Sequence, residues 1–278
     1  MQIQHNIQAI NSGRNLAINN SNLAKNLEKL SSGYRINRAG DDAAGLAISE
    51  QMRSQINGLN QAATNAQDAI GLIQTAEGAL TEVHSMLQRM VTLSTQAANA
   101  TVNSVAAGNI STEFKALMAE IDRIADYTDF NGTKPLAGAK VKGSGGQMTF
   151  QIGPSGGETI SVGKQDMTFK TLVESSVTEA SVTNRISANK ALTGLNSAIN
   201  TVSTYRASLG AAQNRLEHTV NSLKVTSENI QAAESRIRDT NMPDEITSFT
   251  KNNILLQAAQ SMLSQSNAVP QSVLSLLG

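Results

Sequence analysis

The sequence predicts a mainly α protein: an elongated antiparallel helical bundle or coiled coil with terminal helical arms and one small β-hairpin region. Three observations carry this. Two long stretches keep a heptad rhythm of apolar or small residues, the aromatic share is only 3%, and the order helix, break, long helix at the start is answered by long helix, break, helix at the end. A core so poor in rings must be aliphatic and alanine-filled, which suits close-packed helices better than an enzyme pocket.

The first arm carries Ile3, Ile7, Ile10, Leu16, Leu23, Leu27 and Leu30, read as apolar on one side only. A break over Ser31–Gly40 ends at Asp41 and Asp42, acids suited to cap and charge a helix N-terminus. Beyond it Met52, Ile56, Leu59, Ala63, Ala66, Ile70, Ile73, Leu80, Leu87 and Val91 step by fours and threes and predict a helix over about 43–99. A shorter helix is expected over about 111–127, with Phe114, Leu117, Ile121 and Ile124 on one face and Asn131-Gly132 closing the next turn. Within 136–172 Met148, Phe150 and Ile152 alternate with polar residues, and Gly153-Pro154-Ser155-Gly156-Gly157 turns the chain into Thr159–Val162, which reads as a hairpin or, alternatively, a flexible loop. The heptad rhythm returns at Leu195, Ile199, Val202, Leu209, Leu216, Val220, Leu223, Ile230 and Ile237, predicting a helix over about 180–238.

At 1.5 Å per residue each long helix should run roughly 75–90 Å, so a rod domain is expected over 41–239. Pro243, Asp244 and Glu245 then mark the start of a last helix bearing Ile246, Phe249, Leu256, Leu263, Leu274, Leu276 and Leu277. Residues 1–40 and 240–278 would together make one domain of terminal arms. Isolated amphipathic helices of this length are marginal in water, so the arms should be disordered unless they find each other or another copy.

The same residues argue against chemistry. Lys+Arg 22 against Asp+Glu 22 gives no basic excess for nucleic acid or an anionic membrane. Absence of cysteine removes disulfides, thiolate metal sites and cysteine nucleophiles. His5, His84 and His218 stand far apart and outside any metal-binding frame, and Gly143-Ser144-Gly145-Gly146 lacks the lysine and hydroxyl of a phosphate loop. No enzyme, cofactor or metal is therefore expected. The first residues hold no apolar run behind a basic start, so no secretory signal peptide is expected, and no stretch is apolar enough to span a bilayer. Glu77 and Arg206 interrupt the two heptad seams; antiparallel pairing would bring them within about two turns, to pair or to bend separately into solvent.

LSSGYRINRAGDDAAGLAISEQMRSQINGL, Leu30–Leu59, resembles the N-terminal signature of bacterial flagellins, and the stretch Glu228–Gly278 is similar to their C-terminal one. The resemblance implies a structural subunit that polymerises into the flagellar filament for motility, its arms forming the inner filament core. It implies export through the flagellar type III apparatus to the cell exterior, with an export chaperone, filament cap and hook-associated proteins as partners besides the chain itself. The span between the short helix and the returning long helix holds only the small β region, so a short form lacking large outer domains is expected. It also implies recognition by a host Toll-like receptor through Gln88, Arg89, Leu93, Gln96 and Asn99, with Glu113 on the short helix. Leu274, Leu276 and Leu277 resemble terminal leucines engaged by a host sensor and the chaperone. Alternative readings are a hook-filament junction protein and a secreted receptor or adhesion ligand.

Overall fold

A computed structural model describes residues 6–137, 146–173, 182 and 184–277, with side chains to residue 269. Its elements run α1 (Ile7–Ser32), α2 (Ala43–Ala97), α3 (Ser104–Tyr127), β1 (Gln147–Gln151), β2 (Thr159–Gly163), α4 (Phe169–Leu172), α5 (Arg185–Arg238) and α6 (Met242–Leu277). The fold is mainly helical with one small antiparallel sheet, as the sequence predicts. The chain divides into two compact units, Met1–Ile56 with Glu228–Gly278, and Asn57–Ser227.

In the Asn57–Ser227 unit the large seam residues are those the heptads predict: Leu59, Ile73, Leu80 and Leu87 of α2, and Leu195, Val202, Leu209 and Leu216 of α5, are all buried. Their seam partners differ from expectation. Ala62, Ala69 and Met90 are buried where the heptads predict Ala63, Ile70 and Val91, and Ala198 is buried beside a half-buried Ile199. The buried stripe of each helix therefore runs through these small residues and leaves the bulkier neighbours at its margin. Asn60 and Ser227 meet at one end of this unit, where the Ser227 hydroxyl donates to Asn60 Oδ1 at 3.0 Å. Arg206 Nη2 lies 3.5 Å from Glu77 Oε1, a half-exposed ion pair worth about 0.2–1 kcal/mol.

The short helix starts earlier than expected, at Ser104 rather than 111, because the Asn103 side chain caps it by accepting from Ala106 N at 2.7 Å. Its added turns bury Ala107 and Ile110; Phe114 and Ile121 are buried as expected, while Leu117 and Ile124 are half-buried. The hairpin sets Met148 opposite Val162 and Phe150 opposite Ile160, with Met148, Ile160 and Val162 turned to the core. Its turn rests on α2: a Cβ on Gly58 would stand 2.8 Å from Pro154 Cβ, so only glycine admits this approach.

The single turn α4 carries no periodic signal in the sequence. It is fixed by Phe169, whose N–H donates to Asp122 Oδ1 at 2.7 Å and whose ring meets Phe114 edge-on at 6.2 Å. Residues 138–145, which include Gly143-Ser144-Gly145, lie outside the described residues, as do 174–181 at the expected start of the second long helix, and His5.

Tyr205 is buried on α5, and its hydroxyl makes no well-formed hydrogen bond, only a weak contact with the Gln165 backbone. Burial pushes its phenol from 10.0 up to about 12, against a smaller opposing pull from the Gln165 backbone. A raised folded-state value means the neutral phenol's contribution is intact below pH 10 and lost as pH rises towards 12. Tyr205→Phe is expected to change stability little at pH 7, since it removes a buried hydroxyl whose only polar contact is weak. It should also flatten the alkaline limb of a denaturation series between pH 9 and 12; an unchanged limb would assign alkaline loss to other groups.

Candidate functional site

The first unit is built around an elbow and a pair of arms. Helix α1 ends at Gly33, whose φ of 76° is the left-handed conformation glycine adopts without strain and whose N–H donates to Lys29 O at 2.8 Å. The chain then pairs with the α5–α6 break. Tyr34 bridges to Asp239, Arg35 N donates to Arg238 O at 2.7 Å and Thr240 N to Gly33 O at 2.9 Å, and Arg35 Nη2 donates to Ile237 O at 2.6 Å.

Arg238 closes the joint. Its guanidinium lies 4.7 Å from the Tyr34 ring centre and its Nη1 is 2.8 Å from Glu50 Oε1, joining a cation–π contact to a charge-assisted hydrogen bond. The two acids of the break divide their work. Asp42 caps α2 by accepting from Gly45 N at 2.9 Å, whereas Asp41 ties the loop, its Oδ2 accepting from Arg38 N at 3.1 Å and Asn37 N at 3.3 Å. These backbone donors, Arg38 first, hold the Asp41 carboxyl below its usual value. The break is thus a hydrogen-bonded joint in which Ile36 is buried.

From this elbow α1 and α6 run antiparallel. Asn19 Nδ2 donates to Leu255 O at 3.4 Å, and at the far end Asn6 Nδ2 donates to Ser266 O at 2.8 Å. Facing residues recur at seven-residue spacing: Leu16, Leu23 and Leu30 on one helix, Phe249, Leu256 and Leu263 on the other, all partly buried. The arms therefore find each other within one chain. They are not apolar on one side only: Ile7, Ile10, Ile18 and Leu27 of α1, and Ile246, Ile254, Leu255 and Met262 of α6, stay exposed, Ile7 and Ile10 by 63% and 65%.

In the second unit Arg89 and Glu113 join α2 to α3, with Arg89 Nη2 2.7 Å from Glu113 Oε1 and Nε 2.8 Å from the same oxygen. Gln88, Gln96 and Asn99 are exposed nearby on α2 and its end, and the Gln88 amide lies 3.0 Å from His84 Nε2. Leu93, expected among these contact residues, is not on the exposed face. It is 2% exposed, because the heptad turns it into the helical core, and a partner cannot reach it without disturbing that packing.

Family models for the bacterial flagellin N-terminal helical region and the bacterial flagellin C-terminal helical region match residues 3–141 and 192–277. The chain belongs to the bacterial flagellin family. It is 48% identical over 303 residues to a flagellin of Bacillus subtilis (strain 168), and 47% identical over 285 residues to the flagellar filament 33 kDa core protein of Treponema phagedenis, each alignment covering 100% of both chains. Its fold is similar to the crystal structure of Bacillus cereus flagellin, with TM-score 0.52 and 33% identity over 62% of this chain and 94% of that one. A Vibrio parahaemolyticus chain described as flagellar hook-associated shares the fold at TM-score 0.61, with 14% identity, over 72% of this chain and 100% of that one.

Membership makes the chain a structural subunit of the bacterial flagellar filament, of the short form expected for 278 residues without a large variable domain. Among its described residues no helix is long and apolar enough to cross a membrane. Within this flagellin the expected assembly residues fall into separate sets. Leu30, Phe249, Leu256 and Leu263 serve the pairing of α1 with α6, whereas Ile7, Ile10, Leu27 and Ile246 face outward. Ile3 lies outside the described residues. Leu274, Leu276 and Leu277 lie on the last turns of α6, beyond the described side chains. Ile18, Ile254, Leu255 and Met262, which sequence reasoning does not select, join the outward set. Their signal is present in the sequence as apolar residues off the heptad phase of each arm.

Proposed function

We propose that the arm pair, residues 1–40 with 240–278, forms the inner core of the filament and that residues 41–239 form the surrounding rod domain. The observation that carries this is the outward apolar set left after the arms have paired. Each such side chain gains about 1.5–3 kcal/mol when fully buried, and stacked copies of the same chain would supply that burial. Delivery to the cell exterior would use the flagellar export apparatus, with a chaperone holding the terminal leucines before a filament cap places the subunit. The hook-filament junction alternative is disfavoured by 48% identity to a flagellin against 14% to the hook-associated chain.

The test is seeded polymerisation followed by electron microscopy. The full chain is expected to extend filament fragments, whereas a chain lacking Met1–Leu30 and Ile246–Gly278 should not. Ile10→Glu with Ile254→Glu, which leaves the α1/α6 seam untouched, should also abolish growth. Growth of the truncated chain would move assembly to the rod domain.

A second role is favoured by the exposed Arg89–Glu113 pair, flanked by Gln88, Gln96 and Asn99: a polar face for the host Toll-like receptor, with Leu93 holding the helix from beneath. Arg89→Ala with Glu113→Ala should weaken monomer binding to the receptor ectodomain at least tenfold while leaving the circular dichroism spectrum unchanged. Undiminished binding would remove this face from the contact.

A further inference from the structure

Asparagine is followed directly by glycine at two places, Asn57-Gly58 and Asn131-Gly132. Such pairs share a reactivity: with no side chain on the second residue, its backbone nitrogen can approach the asparagine Cγ and displace ammonia. The fold treats the two pairs differently. Both asparagines are exposed, but Asn57 lies inside the 55-residue helix α2, whereas Asn131-Gly132 forms a two-residue turn between the bridged residues Phe130 and Thr133.

The attack needs a backbone rotation that takes asparagine out of either conformation. At Asn57 the surrounding helical turns resist that rotation together, because a helix opens cooperatively. At Asn131 the ties are local. Phe130 N donates to Thr133 O and Thr133 N to Phe130 O, each at 3.0 Å, and Gly132 N donates to the exposed Asp129 Oδ2 at 3.1 Å. Asn131 is also held at φ 51°, the one non-glycine residue at positive φ among those described. Opening the turn relieves the cost of that left-handed conformation. Space for the attack is present, since a Cβ on Gly132 would meet nothing within 4 Å.

We propose that Asn131 is a site of spontaneous covalent modification, converted to aspartate and isoaspartate in the folded chain while Asn57 is protected. The step needs only water. Gly132 N bonds to Asn131 Cγ and gives its proton to solvent, and the side-chain amide takes up a proton and leaves as ammonia. Water then opens the cyclic imide at one carbonyl to give aspartate, or at the other to give isoaspartate, whose backbone runs through the former side chain and is one atom longer.

Either product adds a carboxylate to a turn that already holds Asp129, at the edge of a cavity that Asp68 of α2 also lines. Like charges oppose one another there. The longer isoaspartyl backbone cannot keep the geometry of the Phe130–Thr133 bridge. Phe130 is the residue that seats this turn on α2, its Cζ 3.6 Å from where a Cβ on Gly71 would stand. Modification of Asn131 therefore loosens the turn from the helix.

The experiment is to age the full-length protein at mildly alkaline pH in heavy-oxygen water and map its peptides by mass spectrometry. Labelled oxygen should enter at Asn131 at least tenfold faster than at Asn57, with isoaspartate detected at Asn131. In urea the two sites should convert at similar rates, because both precede glycine. Equal rates in the folded chain would overturn the proposal, and a gap that persists in urea would overturn its structural basis. Aged protein should also exchange the Phe130 and Thr133 amides several-fold faster than fresh protein. Asn131→Gln, whose longer side chain cyclises far more slowly, should show no such change on ageing. Unaltered exchange in aged, modified protein would overturn the loosening.

Discussion

Phe114→Ala is expected to lower the unfolding free energy of the Asn57–Ser227 unit by about 3–5 kcal/mol, the range for removing a fully buried ring. Phe114 has no exposed surface, and its ring meets Phe169 at 6.2 Å and 89°. The loss exceeds one ring's transfer term because Phe169 anchors the single turn α4, which has no heptad seam of its own. With the ring gone, α4 keeps the hydrogen bond from Phe169 N to Asp122 but loses the ring contact. Phe114→Leu keeps part of the volume and should cost less. Urea denaturation followed by helical circular dichroism reads both. A loss below about 1 kcal/mol for alanine would mean that the site collapses around the cavity.

Gly45→Val should be the most damaging single change at the elbow. A Cβ at this position would stand 2.4 Å from Asp42 Oδ2 and 2.8 Å from Ile36 Cδ1. The Asp42 carboxylate cannot simply swing aside, because its other oxygen accepts from Gly45 N at 2.9 Å and caps α2. Losing the cap costs about 0.5–2 kcal/mol and overpacking the buried Ile36 about 1–3 kcal/mol more. Gly45→Ala should show the same effect at smaller size. The expected readout is a lowered melting temperature with faster amide exchange at Tyr34–Asp42. Normal exchange there in Gly45→Val would show that Asp42 can re-seat without loss.

Much of the molecule was determined by local pattern. The heptads define α2 and α5 nearly to their ends, because a seven-residue apolar repeat over many turns has only one favourable solution, helices buried along one stripe. The mirrored breaks, Ser31–Gly40 and Asp239–Pro243, are legible because glycine, proline and capping acids act through their own backbone preferences. The hairpin follows from a change of period at Met148.

What the pattern could not fix was decided by close packing between elements distant in sequence. Alanine can face either the core or solvent, so only the packing of α2 within its unit chose Ala62 over Ala63 and Ala69 over Ile70. The resemblance places Leu93 among the contact residues beside Arg89, yet the same helix turns it into the core. The division of the arm residues is the clearest case. Leu16 and Ile18, or Leu255 and Leu256, are chemically alike, and a helix bearing apolar residues on two faces does not say which one its partner takes. The elbow makes that choice, through Arg238 on Tyr34 and Glu50 and through the Tyr34–Asp239 bridge. Composition and periodicity determined that these arms must be helical and must bury apolar surface; tertiary structure decided which surface they bury against each other and which they leave outward.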